Sequence, residues 1–167
     1  MPSKITVLLI LSIFFAWVSF SHGAATKRKP PFTLRVYAEG SEQGDPSVSI
    51  PMTPLNTQQK GYIQTMPLLT EHDVVAAYPF VVPYEGGNQG GSYFRLNTHG
   101  VNALHRFSME KQGTLLTVIV NGRHVTDVLV DKPASDGLFV ISSGLTLEEL
   151  TALSQNFPII GKEKMKK

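Results

Sequence analysis

Residues 113–130, GTLLTVIVNGRHVTDVLV, decide the fold of this chain of 167 residues. Two runs rich in β-branched residues flank Asn121-Gly122. An Asn-Gly pair between two such runs is the strongest short-range signal for a β-hairpin. A plain two-residue turn would place Leu116 opposite Asp127, a mismatch of apolar and charged side chains. We therefore also expect a β-bulge near Thr126–Asp127.

The segments outside this hairpin predict both strands and helices. The patterns of apolar residues and caps predict strands at 32–38, 93–96 and 138–141, a helix from Asn97 or Thr98 to about Gln112, and a helix that begins at Thr146. A short helix is predicted at 71–78, behind the cap-like pair Thr70 and Asp73, and a flexible loop at 85–91. This order of elements predicts the α+β class, with a single mainly antiparallel sheet and helices packed on one face.

The apolar positions define the faces that these elements bury. The predicted core residues are Phe32, Leu34, Val36 and Ala38 in the first strand, Val101, Leu104 and Phe107 in the first helix, and Leu147, Leu150 and Leu153 in the last helix.

The N-terminal segment has the layout of a secretory signal peptide. Lys4 precedes an apolar run over 5–20, and small residues follow at 21–23. The run is shorter than the roughly 20 residues that span a bilayer, so we expect cleavage. The predicted organisation is a signal peptide at 1–23, a basic lead-in at 24–31, a single α+β domain at 32–161 and a basic tail at 162–167. The processed protein is expected to be extracytoplasmic, either periplasmic or secreted, without a transmembrane segment.

Composition excludes several kinds of site. The chain has no cysteine, so it holds no disulfide, no thiol nucleophile and no Cys-bearing zinc site. Residues 32–161 carry 7 basic and 12 acidic residues, a net charge of −5. A nucleic-acid surface needs basic residues on the folded face, so no nucleic-acid partner is expected. The basic ends allow only weak contact with anionic lipid.

Candidate catalytic and metal-ligating residues are sparse. His99 and His105 lie six residues apart on the predicted helix and so face different directions. The chain has neither the His-Glu-x-x-His spacing of a metal site nor the Gly-x-Ser-x-Gly of a nucleophile elbow. Adjacent Glu148 and Glu149 are explained by capping of the last helix. We expect no metal, no cofactor and no catalytic residue.

The stretch from Tyr93 to Phe157 resembles the head subdomain of the first periplasmic domain of the SecD protein-export subunit. The elements that carry the resemblance, in chain order, are Gly100, the hairpin GTLLTVIVNG at 113–122, Pro133, the strand 139–141, and Gly144 followed by LTLEEL at 145–150. The resemblance covers about 93–157. It implies a SecDF-head-like fold and a role in protein contact without catalysis. Asn121 stands where the family usually has Asp, and Thr126-Asp127 stand where it often has Ala-Pro.

Together these observations predict a non-catalytic binding or accessory domain whose partner is an envelope or secreted protein. The contact residues expected are Gly87, Asn88 and Gln89 in the predicted loop and Asn121 and Arg123 at the hairpin turn. Strand addition at an exposed sheet edge is one mode of contact open to such a domain, because pairing of the main chains needs no special side chains. One alternative is a small extracytoplasmic hydrolase that uses His99 or His105 with a nearby acid. Another is an envelope-associated structural protein held by its basic ends.

Overall fold

The computed structural model describes residues 31–43, 45, 47–55, 59–84 (Tyr84 by its backbone alone) and 87–162. The predicted signal peptide, nearly all of the basic lead-in, and all of the basic tail but Lys162 lie outside the described residues.

The hairpin predicted around Asn121-Gly122 is present, and its two strands pair with each other. The described elements, in chain order, are β1 (Leu34–Ala38), β2 (Ser49–Met52), β3 (Gly61–Gln64), β4 (Leu69–Thr70), a 3₁₀ turn (Glu71–Asp73), β5 (Val74–Tyr84), β6 (Gly87–Leu96), α1 (Thr98–Glu110), β7 (Leu115–Val120), β8 (Arg123–Leu129), β9 (Leu138–Leu145) and α2 (Leu147–Asn156).

The strands form three antiparallel sheets. Their orders are β4-β1-β7-β8, β2-β3 and β5-β6-β9. The predicted α+β class is confirmed, but the prediction of one sheet is wrong. The physical reason is the long β5–β6 hairpin, which takes β9 as its third strand, while β7 pairs with β1. The buried faces of the two larger sheets share one apolar core with both helices.

Most predicted core positions are confirmed. Phe32 and the alternate residues of β1 are almost completely buried, as are Leu104, Leu150 and Leu153, while Val101 and Phe107 pack against the core's margin. Leu147 is the exception, because its side chain is 64% exposed. It is the first residue of α2 and points about 140° away from the middle of the buried stripe, which is formed by Glu149, Leu150, Ala152 and Leu153.

The predicted bulge is confirmed in β8. Ile119 pairs with His124, but the next pair is Val118 with Thr126, so Val125 is the extra residue. Because of this shift, Thr117 lies opposite Asp127, and Leu116 lies opposite Val128. The bulge lies one residue nearer the turn than predicted.

Two sequence predictions around β5 are wrong. The capping box of Thr70 and Asp73 is present, but it opens a single 3₁₀ turn, and the segment predicted as helix continues as β5. Val74-Val75 favours a strand, and Pro79 disfavours helical backbone geometry in Tyr78, the residue before it. The segment predicted as a flexible loop supplies the first half of β6 instead. Its glycines are needed for packing, because at Gly90 a Cβ would lie 2.6 Å from the carbonyl oxygen of Leu145.

Candidate functional site

The outer face of the β5–β6–β9 sheet carries exposed aromatic side chains. Tyr78 and Tyr93 are direct cross-strand partners, and Tyr93 is in turn opposite Val140. Directly paired residues share a face of a sheet, as do residues two apart on one strand, so Phe80 lies on this face too. Tyr78 is 51% exposed and Tyr93 42%. We call these four residues, Tyr78, Phe80, Tyr93 and Val140, the aromatic face.

The aromatic face is held in place by packing within the sheet. The ring of Phe80 lies 5.3 Å from that of Tyr93, centroid to centroid, with the ring planes tilted by 46°. Phe80 is also the direct partner of Gly91, whose missing side chain leaves the space that the ring fills. Aromatic pairs in this distance range attract one another beyond simple area burial. The rings are therefore positioned before any partner arrives.

The same hairpin carries almost no charge. Between Tyr78 and Tyr93 the sequence holds one charged residue, Glu85. The cores of protein–protein interfaces are depleted in charged residues and enriched in tyrosine and phenylalanine. An exposed, preorganised aromatic face with these properties is suited to protein contact.

Three of the predicted contact residues lie at the far end of this hairpin. Gly87, Asn88 and Gln89 pair with Tyr84, Pro83 and Val82 in that order. Gly87 and Asn88 are exposed and Gln89 is half-buried. The structure thus brings them together, although on a strand and not in a flexible loop.

The other two predicted contact residues lie at the β7–β8 turn, and their side chains bind the fold itself. Asn121 adopts the left-handed conformation (φ 50°), and its Oδ1 accepts a hydrogen bond from the Thr33 backbone N–H at 2.9 Å. Arg123 donates to Glu149 at 2.6 Å and to the Gly144 carbonyl at 2.8 Å. Glu149 also completes the Thr146 capping box, so Arg123 ties this turn to the start of α2.

The free edge of β5 is unsuited to strand addition. The N–H of Ala77 donates outward to the Pro158 carbonyl at 2.9 Å, and Ala77 accepts from the Ile160 N–H at 3.1 Å. Backbone groups alternate along a strand, so Pro79 and Pro83 also face outward, where they offer no N–H. Prolines at such positions blunt a sheet edge.

The side chain of His99 contacts that of Asp73 at the start of α1. Its Nδ1 lies 2.8 Å from Asp73 Oδ1, and its ring is 79% exposed. Thr70 donates its hydroxyl to the other carboxylate oxygen of Asp73 at 3.1 Å. Burial disfavours the charged form of Asp73, but hydrogen bonds from His99 and Thr70 outweigh it and hold the pKa of Asp73 below its usual 3.8.

This arrangement differs from a catalytic triad, in which the imidazole lies between the hydroxyl and the acid. Here the acid lies between the other two groups. In the described part of the chain, the one side chain that His99 contacts by a hydrogen bond is that of Asp73. His105 bonds a backbone carbonyl, that of Ala134, at 3.0 Å. The geometry therefore leaves an exposed His–Asp dyad without a positioned nucleophile.

A second His–Asp pair, His124 and Asp127, lies at the β8 bulge and was not predicted from the sequence. Asp127 is buried and accepts from Thr117 Oγ1 at 3.1 Å, contacts His124 Nε2 at 2.8 Å, and accepts from the Leu55 backbone N–H at 2.7 Å. The sequence feature that could have predicted this buried polar cluster is the presence of Thr117 and Asp127 within an otherwise apolar hairpin. Among residues 31–162, where described, no three His, Asp or Glu side chains are grouped so that they could hold a metal ion.

No protein family model and no curated protein sequence matches this chain. Its structure is similar to that of SecDF, described as a membrane component that enhances protein export, with a TM-score of 0.51 and 14% sequence identity. The similarity covers 78% of this chain and 65% of the SecDF chain, so this chain spans less than two thirds of that protein's length. The chain has a SecDF-like fold.

The resemblance of 93–157 to SecDF is thereby confirmed at the level of the domain, since the structural similarity extends over most of the chain. A crystal structure of SecDF in a super-membrane-facing form matches with a TM-score of 0.48 and 15% identity, over 76% of this chain and 19% of that one. Of the helices in the described segments, neither is long and apolar enough to cross a bilayer.

Proposed function

We propose that this chain is an extracytoplasmic, non-catalytic binding domain that contacts an envelope or secreted protein through its aromatic face. The observation that carries the proposal is the exposed cross-strand pair Tyr78–Tyr93, in a stretch of the hairpin whose sequence from 78 to 93 holds a single charged residue. Exposed aromatic rings that are already packed lose little conformational freedom on binding, so they are efficient contact residues.

The SecDF-like fold supports an accessory role. SecDF is described as a membrane component that enhances protein export. The predicted signal peptide would deliver this domain across a membrane, to an extracytoplasmic compartment. An accessory role in protein export follows from analogy of fold, and the aromatic face supplies the physical means of contact.

Site-specific photo-crosslinking in the native host tests this proposal. A photoreactive phenylalanine derivative replaces Tyr78 or Tyr93 in two variants, and exposed Met109 on α1 in a matched control, whose side chain is 57% exposed. We expect one discrete crosslinked protein from the aromatic face and none from position 109. The crosslink should saturate and should be lost when Tyr78→Ser is combined with the probe at 93. Equal crosslinking from all three positions would contradict the proposal.

The remaining predicted contact residues extend the same proposal. A probe at Gln89 should give the same crosslink as Tyr93, because residues four apart on one strand share a face. Asn88 lies on the opposite face of β6, so a crosslink from a probe there would show that the partner wraps around the end of the hairpin. At the β7–β8 turn, Asn121 and Arg123 already bond inside the fold, so a partner there would meet the exposed backbone at Gly122 instead of their polar groups.

The His99–Asp73 pair favours one alternative, a hydrolase in which the exposed imidazole activates water. Purified protein and its His99→Ala variant would be compared on ester, amide and glycoside substrates. Turnover that disappears in His99→Ala would establish the alternative. Equal background rates for the two proteins would exclude His99 as a general base for these substrates.

A further inference from the structure

The edges of the two larger sheets face each other without pairing. β8 is the last strand of the β4-β1-β7-β8 sheet, and β9 is the last strand of the β5-β6-β9 sheet. The two strands meet near Val125 and Gly144, where a Cβ built on Gly144 would lie 2.8 Å from the Val125 carbonyl oxygen. Between their other ends, at Leu129 and Leu138, lies a cleft of about 590 Å³. Ligand clefts typically have volumes of about 300–1,000 Å³.

The floor of this cleft is apolar. It is lined by Leu104 of α1, Leu116 of β7 and Phe139 of β9, which are all residues of the core. The connection from β8 to β9 lines one end of the cleft and is fastened to α1, because the Ala134 N–H donates to the Ser108 hydroxyl at 2.8 Å. An apolar side chain that enters the cleft would therefore contact the core directly.

The wall formed by β8 presents main-chain groups that β7 does not use. Val130 donates its N–H to the Thr114 carbonyl at 3.0 Å and accepts from the Gly113 N–H at 2.8 Å, so its backbone faces β7. Because backbone groups alternate in direction along a strand, those of Asp127 and Leu129 face away from β7. No strand among the described residues pairs with this edge.

The wall formed by β9 presents main-chain groups in the same way. Gly137 accepts from the Leu96 N–H at 2.9 Å, so the backbone groups of Leu138 and Val140 face away from β6. The Leu138 N–H agrees with this direction, since it donates to Asp136 Oδ1 at 3.0 Å. The cleft therefore has main-chain groups on both of its walls.

An extended peptide is the ligand that fits polar walls together with an apolar floor. An added strand supplies N–H and C=O groups at the spacing that a strand edge requires, and its alternate side chains point to one face. An acyl chain could cover the floor, but it would leave the main-chain groups of the walls without partners, which is unfavourable.

The surroundings of the cleft restrict the peptide further. The connection at 131–137 carries two exposed aspartates and one exposed lysine, so its charge favours a neutral or basic segment. The bulge at Val125 and the approach of Gly144 close the first part of the β8 edge. The open part is Asp127–Leu129, which gives room for about three residues of pairing.

We propose that the cleft between β8 and β9 binds a short extended segment of another protein, which pairs with the edge of β8 at Asp127–Leu129 and places an apolar side chain on the floor. Strand addition is thus directed to β8 and not to the edge of β5. Val140 lines the cleft and also belongs to the aromatic face, so the two sites adjoin. The cleft is nevertheless a second site, and this proposal does not rest on contacts made by Tyr78 or Tyr93.

Amide hydrogen exchange followed by NMR tests this proposal on the protein in the processed form that its host produces. The probe is an array of heptapeptides with lysine at both ends and varied Leu, Ile, Val, Phe and Thr at the inner positions. A peptide that binds should slow exchange of the outward Leu129 N–H by about tenfold or more, because the added strand accepts its hydrogen bond. The Val128 N–H faces β7 and is the internal control, whose exchange should not change.

Two substitutions at one position separate main-chain pairing from side-chain contact. Leu129→Pro removes the outward N–H and leaves the bonds to β7 intact, so peptide affinity should fall by about tenfold or more. Leu129→Ala keeps the N–H and should bind within about threefold of the wild type. Tyr78→Ser should bind the peptide normally, which distinguishes the cleft from the aromatic face.

Three outcomes would overturn the proposal. One is equal peptide affinity of Leu129→Pro and Leu129→Ala, with both variants folded by circular dichroism; if Leu129→Pro does not fold, exchange in the wild type decides. Another is the absence of binding by every peptide of the array at about 1 mM. The third is slow exchange of the Leu129 N–H before peptide is added, together with a dimer in sedimentation, which would assign the edge to a second copy of this chain.

Discussion

The ring of Phe80 occupies the space that a side chain at position 91 would need. A Cβ built on Gly91 would lie 2.5 Å from two ring carbons of Phe80 and 2.7 Å from the carbonyl oxygen of Ile141. β5, β6 and β9 therefore meet at this glycine, and the aromatic face depends on its lack of a side chain.

Gly91→Ala should destabilise the protein by about 1–3 kcal/mol, because the methyl group would overlap a backbone carbonyl that cannot move without shifting β9. Chemical denaturation would measure the loss. Gly61→Ala is the control, since its Cβ would meet its nearest neighbour at 3.4 Å. Adding Phe80→Ala should restore only part of the stability, as the Ile141 carbonyl remains. Wild-type stability of Gly91→Ala would contradict this account of the sheet.

This glycine also explains where sequence reasoning succeeded and failed. Local signals predicted the β7–β8 hairpin, the Asn97 cap and the capping box of Thr146, because turns and caps are formed by residues close in sequence. Glycines at 90 and 91 instead serve contacts with α2 and β9, more than 45 residues away. Without knowledge of those distant contacts, the glycine-rich sequence around them indicates a loop. The division into separate sheets and the position of the aromatic face were hidden for the same reason.

Asp127 should be among the most sensitive polar positions in the protein. Its buried carboxylate accepts from Leu55 and Thr117 and contacts His124, so Asp127→Ala leaves these groups without their partner. We expect a loss of about 2–4 kcal/mol in the free energy of unfolding. Thr117→Val should cost less, about 1 kcal/mol, since it removes one bond.

Hydrogen exchange would locate the effect of Asp127→Ala. The Leu55 amide should lose protection more than the amides at the centre of β7, because it donates directly to the missing carboxylate. Asp131→Ala, at an exposed position, is the matched control. A uniform loss of protection in both variants would show that Asp127 does not hold the segment at Leu55.

The main effect that we expect of Arg123→Ala is a loss of folding stability, and not a direct loss of partner binding. The guanidinium bonds the Glu149 carboxylate and the Gly144 carbonyl, and its 45% exposure limits the expected loss to about 1–2 kcal/mol. Arg123→Lys should recover only part of it, because an ammonium cannot reproduce the paired contact with Glu149. Thermal denaturation would rank the variants against Arg106→Ala, at an exposed position of α1. Full stability of Arg123→Ala with loss of the crosslinked partner would instead make Arg123 a contact residue.

The Asp73 carboxylate should make the stability of the fold depend on pH in the acidic range. Its pKa is lower in the folded protein than its usual 3.8, so the folded state binds this proton less tightly than the unfolded chain does. The stabilisation is therefore present above 3.8 and is lost as the pH falls through the lowered pKa. Asp73→Asn should be less stable than the wild type at pH 7, and the difference should shrink below pH 4. A difference that stays constant down to pH 2 would show that the charge of Asp73 contributes nothing.

Pro79 and Pro83 should keep the edge of β5 from pairing with other chains. Both are at outward-facing backbone positions, and the Ile159–Ile160 segment covers the edge only at Ala77. Replacing both prolines with threonine would give the edge two new N–H donors while leaving the bonds to β6 intact. The variant should fold, with unchanged circular dichroism at low concentration, but associate as concentration rises, as measured by sedimentation and by thioflavin T binding. Pro133→Thr, on the connection between β8 and β9, is the control and should stay monomeric to the same extent as the wild type. If the double variant shows no added association, the shape of the hairpin, and not its prolines, protects the edge.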